Sequence, residues 1–235
     1  MTKTLRKLTL LTLAFALAAV SFTACSDDDN NIPVNNFTYR MVTFEAQNDN
    51  GSVFTYQEGE YTPVITLTAT QRIDTEKVKI GQRVVIAYRD AVAPGAASNG
   101  NISLVGYVPV HNGVLERGTS NDNDGFRSNM VQMASEWITG KWLNINMSAI
   151  LRSEPKSFRL VADESTLNEE YPTVYLLFQT DDQDRGTLKT VYASFDIEWL
   201  WSDDNPCKGF ILKTANQNGP HDFQFDKRPK ITPID

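Results

Sequence analysis

The sequence predicts an all-β protein of two modules, an N-terminal five-stranded OB-like barrel and a C-terminal Ig-like β-sandwich. Three observations carry that expectation. Apolar residues beyond Asn36 recur with a period of two rather than 3.6, the mark of strands half-buried in a sheet. Turn-forming Gly, Asn, Asp and Pro clusters return about every ten residues. No stretch alternates strand with helix as a βαβ unit does, which excludes Rossmann and TIM architectures.

Residues 1–24 read as a leader rather than as part of the fold. Lys3, Arg6 and Lys7 make a basic start, and residues 8–20 (LTLLTLAFALAAV) are apolar apart from Thr9 and Thr12. A helix of that length rises about 20 Å, short of the roughly 30 Å of a bilayer core, so a signal peptide fits better than a span. Phe22-Thr23-Ala24-Cys25 resembles the lipobox of bacterial lipoproteins, with Phe22 where Leu is usual. The resemblance implies cleavage before Cys25 and lipidation of its thiol. Buried acyl methylenes contribute about 0.8 kcal/mol each, so a multiply acylated Cys is a stable anchor. Ser26-Asp27-Asp28-Asp29 resembles the surface-export signal of Bacteroidetes lipoproteins, and residues 25–36 as a whole read as an acidic, Asn-rich tether. Together these predict a lipid-anchored outer-membrane protein displayed on the cell surface.

The first module is expected over residues 37–118. Residues 39–44 and 52–56 flank Asn48-Asp49-Asn50-Gly51, and Asn-Gly is a strong tight-turn signal. Residues 62–70 (TPVITLTAT) are rich in β-branched side chains, and residues 83–88 (RVVIAY) form an apolar run. Residues 101–110 supply the fifth strand, with Gly106 a candidate bulge. Five strands in about 75 residues is the count of a small Greek-key barrel such as an OB-fold, with a meander as the alternative.

The polar stretch from Arg117 to Arg127 is the predicted boundary, and the sandwich is expected over residues 119–235. Trp137-Ile138-Thr139-Gly140-Lys141-Trp142 looks like a hairpin tip. Leu143, Ile145, Met147 and Ala149 alternate with Asn144, Asn146 and Ser148. Residues 191–201 alternate in the same way through Trp199 and Trp201, predicting one long strand, and residues 158–162, 174–179, 210–212 and 223–225 supply the rest. Six or seven strands in about 105 residues read as a sandwich.

At this point the order of pieces resembles the NigD-like lipoproteins of Bacteroidetes. The resemblance rests on the lipobox and acidic tether, on Gly140-Lys141-Trp142-Leu143-Asn144-Ile145, on Phe158-Arg159-Leu160-Val161 and on Val174-Tyr175-Leu176. It implies an OB-like domain followed by an Ig-like sandwich. The founding member is associated with a bacteriocin operon, and the family shares no catalytic residues that could be carried over.

Charge and composition narrow the function. The chain has 22 Lys+Arg against 29 Asp+Glu, a net −7, and removal of the three leader cations makes the remainder −10. Such a body repels nucleic acid and anionic lipid, so no nucleic-acid partner is expected and membrane attachment falls to Cys25. With Cys25 acylated, Cys207 is a lone thiol. His111 and His221 sit beside turn residues and read as solvated, and no G-x-S-x-G elbow is present. Ser120-Asn121-Asp122-Asn123-Asp124-Gly125 imitates the start of a calcium loop, but Val131 stands where a bidentate Glu belongs. Neither enzyme chemistry nor a cofactor or metal is therefore expected, the enzyme alternative being a hydrolase with two carboxylates facing one cleft between the modules. Trp137 and Trp142, near one hairpin tip, are the candidate ligand platform for a protein or glycan, with core packing as the competing reading.

Overall fold

The computed structural model describes residues 37–59, 62–91, 100–119, 131–151, 157–179, 187–216 and 219–227. Cys25, the Ser26–Asp29 signal and the 120–125 motif lie outside them.

Strands β1 (Thr38–Asn48), β2 (Gly51–Tyr56), β3 (Ile65–Ala69), β4 (Arg83–Asp90) and β5 (Asn101–Pro109) close a barrel in the order β1-β2-β3-β5-β4. All pairs are antiparallel except β3 with β5. The Asn50-Gly51 turn forms as predicted. Gly51 holds φ +120°, and a Cβ there would lie 1.9 Å from the Ala69 carbonyl oxygen, so only glycine lets β2 approach β3. Phe44, Phe54, Leu67, Val84, Ile86 and Tyr88 fill the barrel, and Ile73 and Val78 from the β3–β4 connection join them. The register of β5 against β4 shifts beside Gly106, where a bulge was expected.

The remaining strands are β6 (His111–Gly118), β7 (Val131–Thr139), β8 (Trp142–Leu151), β9 (Ser157–Asp163), β10 (Thr173–Gln179), β11 (Thr187–Asp196), β12 (Gly209–Asn216) and β13 (Gly219–Asp226). They form one eight-stranded sheet, ordered β13-β12-β10-β9-β6-β11-β8-β7, which curls until β12 meets β7 and encloses a sandwich core. Strand β6 is shared. Its first half, His111 to Val114, pairs with β11, and its second half, Leu115 to Gly118, pairs with β9. Phe195, Phe210, Leu143, Ile145, Met147, Leu160 and Leu176 are fully buried between the layers.

Two features differ from the sequence reading. A boundary between residues 118 and 119 would leave β6 with the barrel, yet its partners β11 and β9 are both in the sheet. The polar stretch after Arg117 joins two strands of one sheet, whereas the passage between modules is only Pro109-Val110-His111, with Val110 buried. The long strand through Trp201 also ends early. The Asp196 carboxylate accepts from the Glu198 N–H, and the Ile197 N–H donates to Lys141 O, which turns the chain into helix α1 (Glu198–Trp201). Trp201 still reaches the core, while Trp199 is half-buried and donates from Nε1 to Leu115 O at 2.8 Å.

Candidate functional site

The outer face of the barrel is where the site begins. Strand β4 is buried on both faces over Arg83, Val84, Val85 and Ile86, because one face fills the barrel and the other meets the sheet. Met41, Val85 and Val110 form an apolar contact there, against which Trp137 and Tyr192 pack. Beside it lies a polar lock. The Asn112 carboxamide accepts from Arg83 N–H at 2.7 Å and donates to Arg83 O and Val110 O. The Arg83 guanidinium donates to Met41 O, Thr43 Oγ1 and Asn144 Oδ1, each at 3.2 Å. Asn144 Oδ1 also accepts from the Ser194 hydroxyl, and its amide donates to Thr139 Oγ1 at 2.9 Å.

Arg83 is only 3% exposed, and its Nε has no partner. Burial depresses its pKa to about 10, opposed by the field of the Glu45 carboxylate. It stays cationic at neutral pH in a site whose direct acceptors are all uncharged.

Above Arg83 opens a cleft of about 430 Å³ between the barrel rim and the tip of the β7–β8 hairpin. That is within the range of about 300–1,000 Å³ typical of small-ligand sites. The rim brings Thr43 and Glu45 from β1, Thr55 and Tyr56 from β2, and Gln57; the hairpin brings Thr139, Lys141 and Trp142. The β1–β2 register shifts between Phe44 and Ala46, a bulge at Glu45, and the Thr55 hydroxyl donates to Glu45 Oε1. Lys141 Nζ sits 2.7 Å from Asp196 Oδ2 and 3.3 Å from Glu198 Oε2. Its hydrogen bond to Asp196 is the main cause of a raised pKa. Burial raises the Tyr56 pKa against the opposing charge of Arg40, whose guanidinium lies 4.1 Å from the ring centre.

Trp137 and Trp142 lie on one face of the hairpin, since Trp137 pairs with Asn144 and Trp142 with Thr139. They do different work. Trp137 packs into the Met41–Val85–Val110 contact, and Trp142 borders the cleft with the Arg83 guanidinium 5.8 Å and Lys141 Nζ 5.3 Å from its ring. His111 is not a solvated turn residue. It stands on β6, half-buried, with Nε2 2.9 Å from Phe158 O and its ring against Phe158 and Phe195. Burial lowers its pKa. His221 is exposed on β13. Cys207 is buried, with Sγ 3.5 Å from Leu200 O. Among the described residues no group of three His, Cys, Asp or Glu side chains could hold a metal ion.

Sequence reasoning missed Arg83, Glu45, Gln57 and Asn144. One signal was present: the face of β8 opposite the core reads Asn144, Asn146, Ser148, with no Lys or Glu, as suits a covered rather than a solvated face.

The profile of the NigD-like C-terminal beta sandwich domain matches residues 114–226. No curated protein matches the chain. Among solved structures, a NigD-like immunity protein from Bacteroides caccae is similar at 14% identity and TM-score 0.57, over 81% of this chain and 98% of that one. A protein of unknown function from Bacteroides vulgatus is similar at 18% identity and TM-score 0.62, over 84% of this chain and 96% of that one. A protein described as a lipoprotein from Bacteroides fragilis is similar at 11% identity and TM-score 0.57, over 83% and 99%. At such identities the likeness is one of fold, extending across barrel and sheet together. Joined to the match over residues 114–226, it gives this chain a NigD-like C-terminal β-sandwich domain preceded by a five-stranded barrel.

Proposed function

We propose that the chain is a lipid-anchored envelope protein that acts by holding a partner rather than by catalysis. The observation carrying this reading is the preorganised cleft, whose cations are held in place by their neighbours: Lys141 by Asp196 and Glu198, Arg83 by Met41 O, Thr43 and Asn144. Fixed charges of this kind favour recognition, because little is lost in ordering them when a partner arrives. The basic, apolar leader, Cys25 and the Ser26–Asp29 run support anchoring in the outer membrane with display outward. A protein partner is the first reading, and the Bacteroides caccae neighbour, named an immunity protein, agrees with it. A glycan is the second, favoured by the position of Trp142 at the cleft.

Anchoring is tested by fractionation and protease shaving of cells carrying the wild type or Cys25→Ala. The wild type is expected in the membrane fraction and digested on intact cells, and the variant is expected to be released. Retention of Cys25→Ala in the membrane would overturn the anchor, and digestion only after lysis would overturn display. Cross-linking in intact cells tests the partner class, and recovery of no envelope or secreted protein counts against a protein partner.

A further inference from the structure

We propose that the cleft between the barrel rim and the β7–β8 tip binds a carboxylated sugar, a uronic acid residue or a short acidic saccharide. The proposal rests on the second of the two readings above, the glycan, and gives that ligand a chemical class.

The cleft has two chemically opposed parts. Its floor is Arg83, a buried guanidinium with three uncharged acceptors, a bare Nε and, among the described residues, no carboxylate within ion-pair distance. A buried cation without a counter-ion is costly, and a planar carboxylate is the ligand group best matched to a guanidinium fork. Its barrel wall is acidic and polar. Glu45 spends one oxygen on the Thr55 hydroxyl and has lone pairs remaining, and Gln57 adds a carboxamide. A bare anion such as phosphate would meet repulsion from Glu45. A ligand carrying a carboxylate on one side and hydroxyl donors on the other satisfies both parts, and a uronic acid ring is such a ligand. The half-buried Trp142 indole borders the same space and offers an apolar surface for the C–H face of a pyranose.

A peptide is the less favoured occupant because main-chain recognition needs an open strand edge. Strands β1 and β2 each pair on both sides within the closed barrel and β8 pairs with β7 and β11, while β7, at the end of the sheet, brings only its last residue, Thr139, to the cleft. Recognition in this cleft therefore falls to side chains.

The test is calorimetry on the full chain in detergent, titrated with galacturonate and glucuronate oligosaccharides, their neutral counterparts and oligoglutamate. The acidic saccharides are expected to bind, the neutral ones about tenfold or more weakly, since a charged hydrogen bond is lost. Trp142→Ala should weaken acidic-saccharide binding by about 3–10-fold. Arg83→Gln should abolish the preference for acidic over neutral saccharide. Because Arg83 also joins barrel to sheet, Glu45→Ala at the exposed wall serves as a second polar variant, expected to lose affinity without a change in melting temperature. Absence of heat with acidic saccharides, equal binding of neutral ones, preferential binding of oligoglutamate, or affinity unchanged by Trp142→Ala and Glu45→Ala would each overturn the proposal. None of these outcomes alters the fractionation and cross-linking results, so failure of the cleft assignment stays separate from failure of the anchored binding role.

Discussion

At the scale of single residues, Asn144 is the most connected polar side chain of the junction. It accepts from Arg83 and Ser194 and donates to Thr139, with weaker donations towards Trp137 O and Trp142 O. Asn144→Ala leaves the buried guanidinium with one acceptor fewer and strands the Ser194 hydroxyl, so a loss of about 2–4 kcal/mol in denaturant-measured stability is expected. Asn146, on the same strand, keeps a buried Oδ1 without a partner, and Asn146→Ala should cost markedly less. His111 gives a pH dependence of definite sign. Its folded-state pKa lies below the unfolded value of 6.5 because burial disfavours the imidazolium, so the unfolded chain binds the proton more readily. Its contribution is complete above about pH 6.5 and is lost as pH falls from there through the depressed folded pKa. Urea midpoints measured from pH 7.5 down to 5 should fall for the wild type and fall less for His111→Gln. Equal slopes would show that another group carries the effect.

At the scale of elements, β6 depends on a residue without a side chain. A Cβ on Gly113 would lie 2.6 Å from the Phe195 ring, which packs over this strand. Gly113→Ala should destabilise by about 1–3 kcal/mol through overpacking. Phe195→Leu frees that space at its own cavity cost, so the double variant should be less unstable than the two losses summed, a coupling read from a double-mutant cycle. Additive losses would mean that the ring moves aside without strain. Helix α1 shows the same dependence on context: its four residues are ordered by Asp196 and Lys141 O rather than by any helical propensity, since isolated helices so short are unstable.

At the scale of the whole molecule, barrel and sheet share an apolar contact, the Asn112 bridge and the Arg83–Asn144 bond, and residues 36–235 form one compact unit. A single cooperative transition is expected, with calorimetric and van't Hoff enthalpies equal and with probes in barrel and sheet reporting the same midpoint. Trp137→Ala, which removes the largest side chain from the contact, should separate the two midpoints. Two transitions in the wild type would mean that the junction couples the modules weakly.

The strands and their inward faces were legible in the amino-acid order, because burial on one side of a pleated strand imposes a period of two, and β1 to β3, β5, the β7–β8 hairpin and the β8 and β11 core faces follow it, whereas β4 reads as an apolar run because both of its faces are covered. The Asn50-Gly51 turn was legible because a positive φ selects glycine. Helix α1 was not, since Trp199 and Trp201 fit a continuing alternation until Asp196 and Lys141 O turn the chain. The role of β6 was not, because a polar stretch marks exposure and cannot say which strands it connects. The cleft was not legible beyond Trp142. Arg83, Glu45 and Gln57 lie far from Lys141 and Trp142 in sequence and meet only where barrel packs on sheet. Local periodicity records which face of a strand leaves water; which module covers the opposite face, and which charges are buried there, depends on contacts between distant segments.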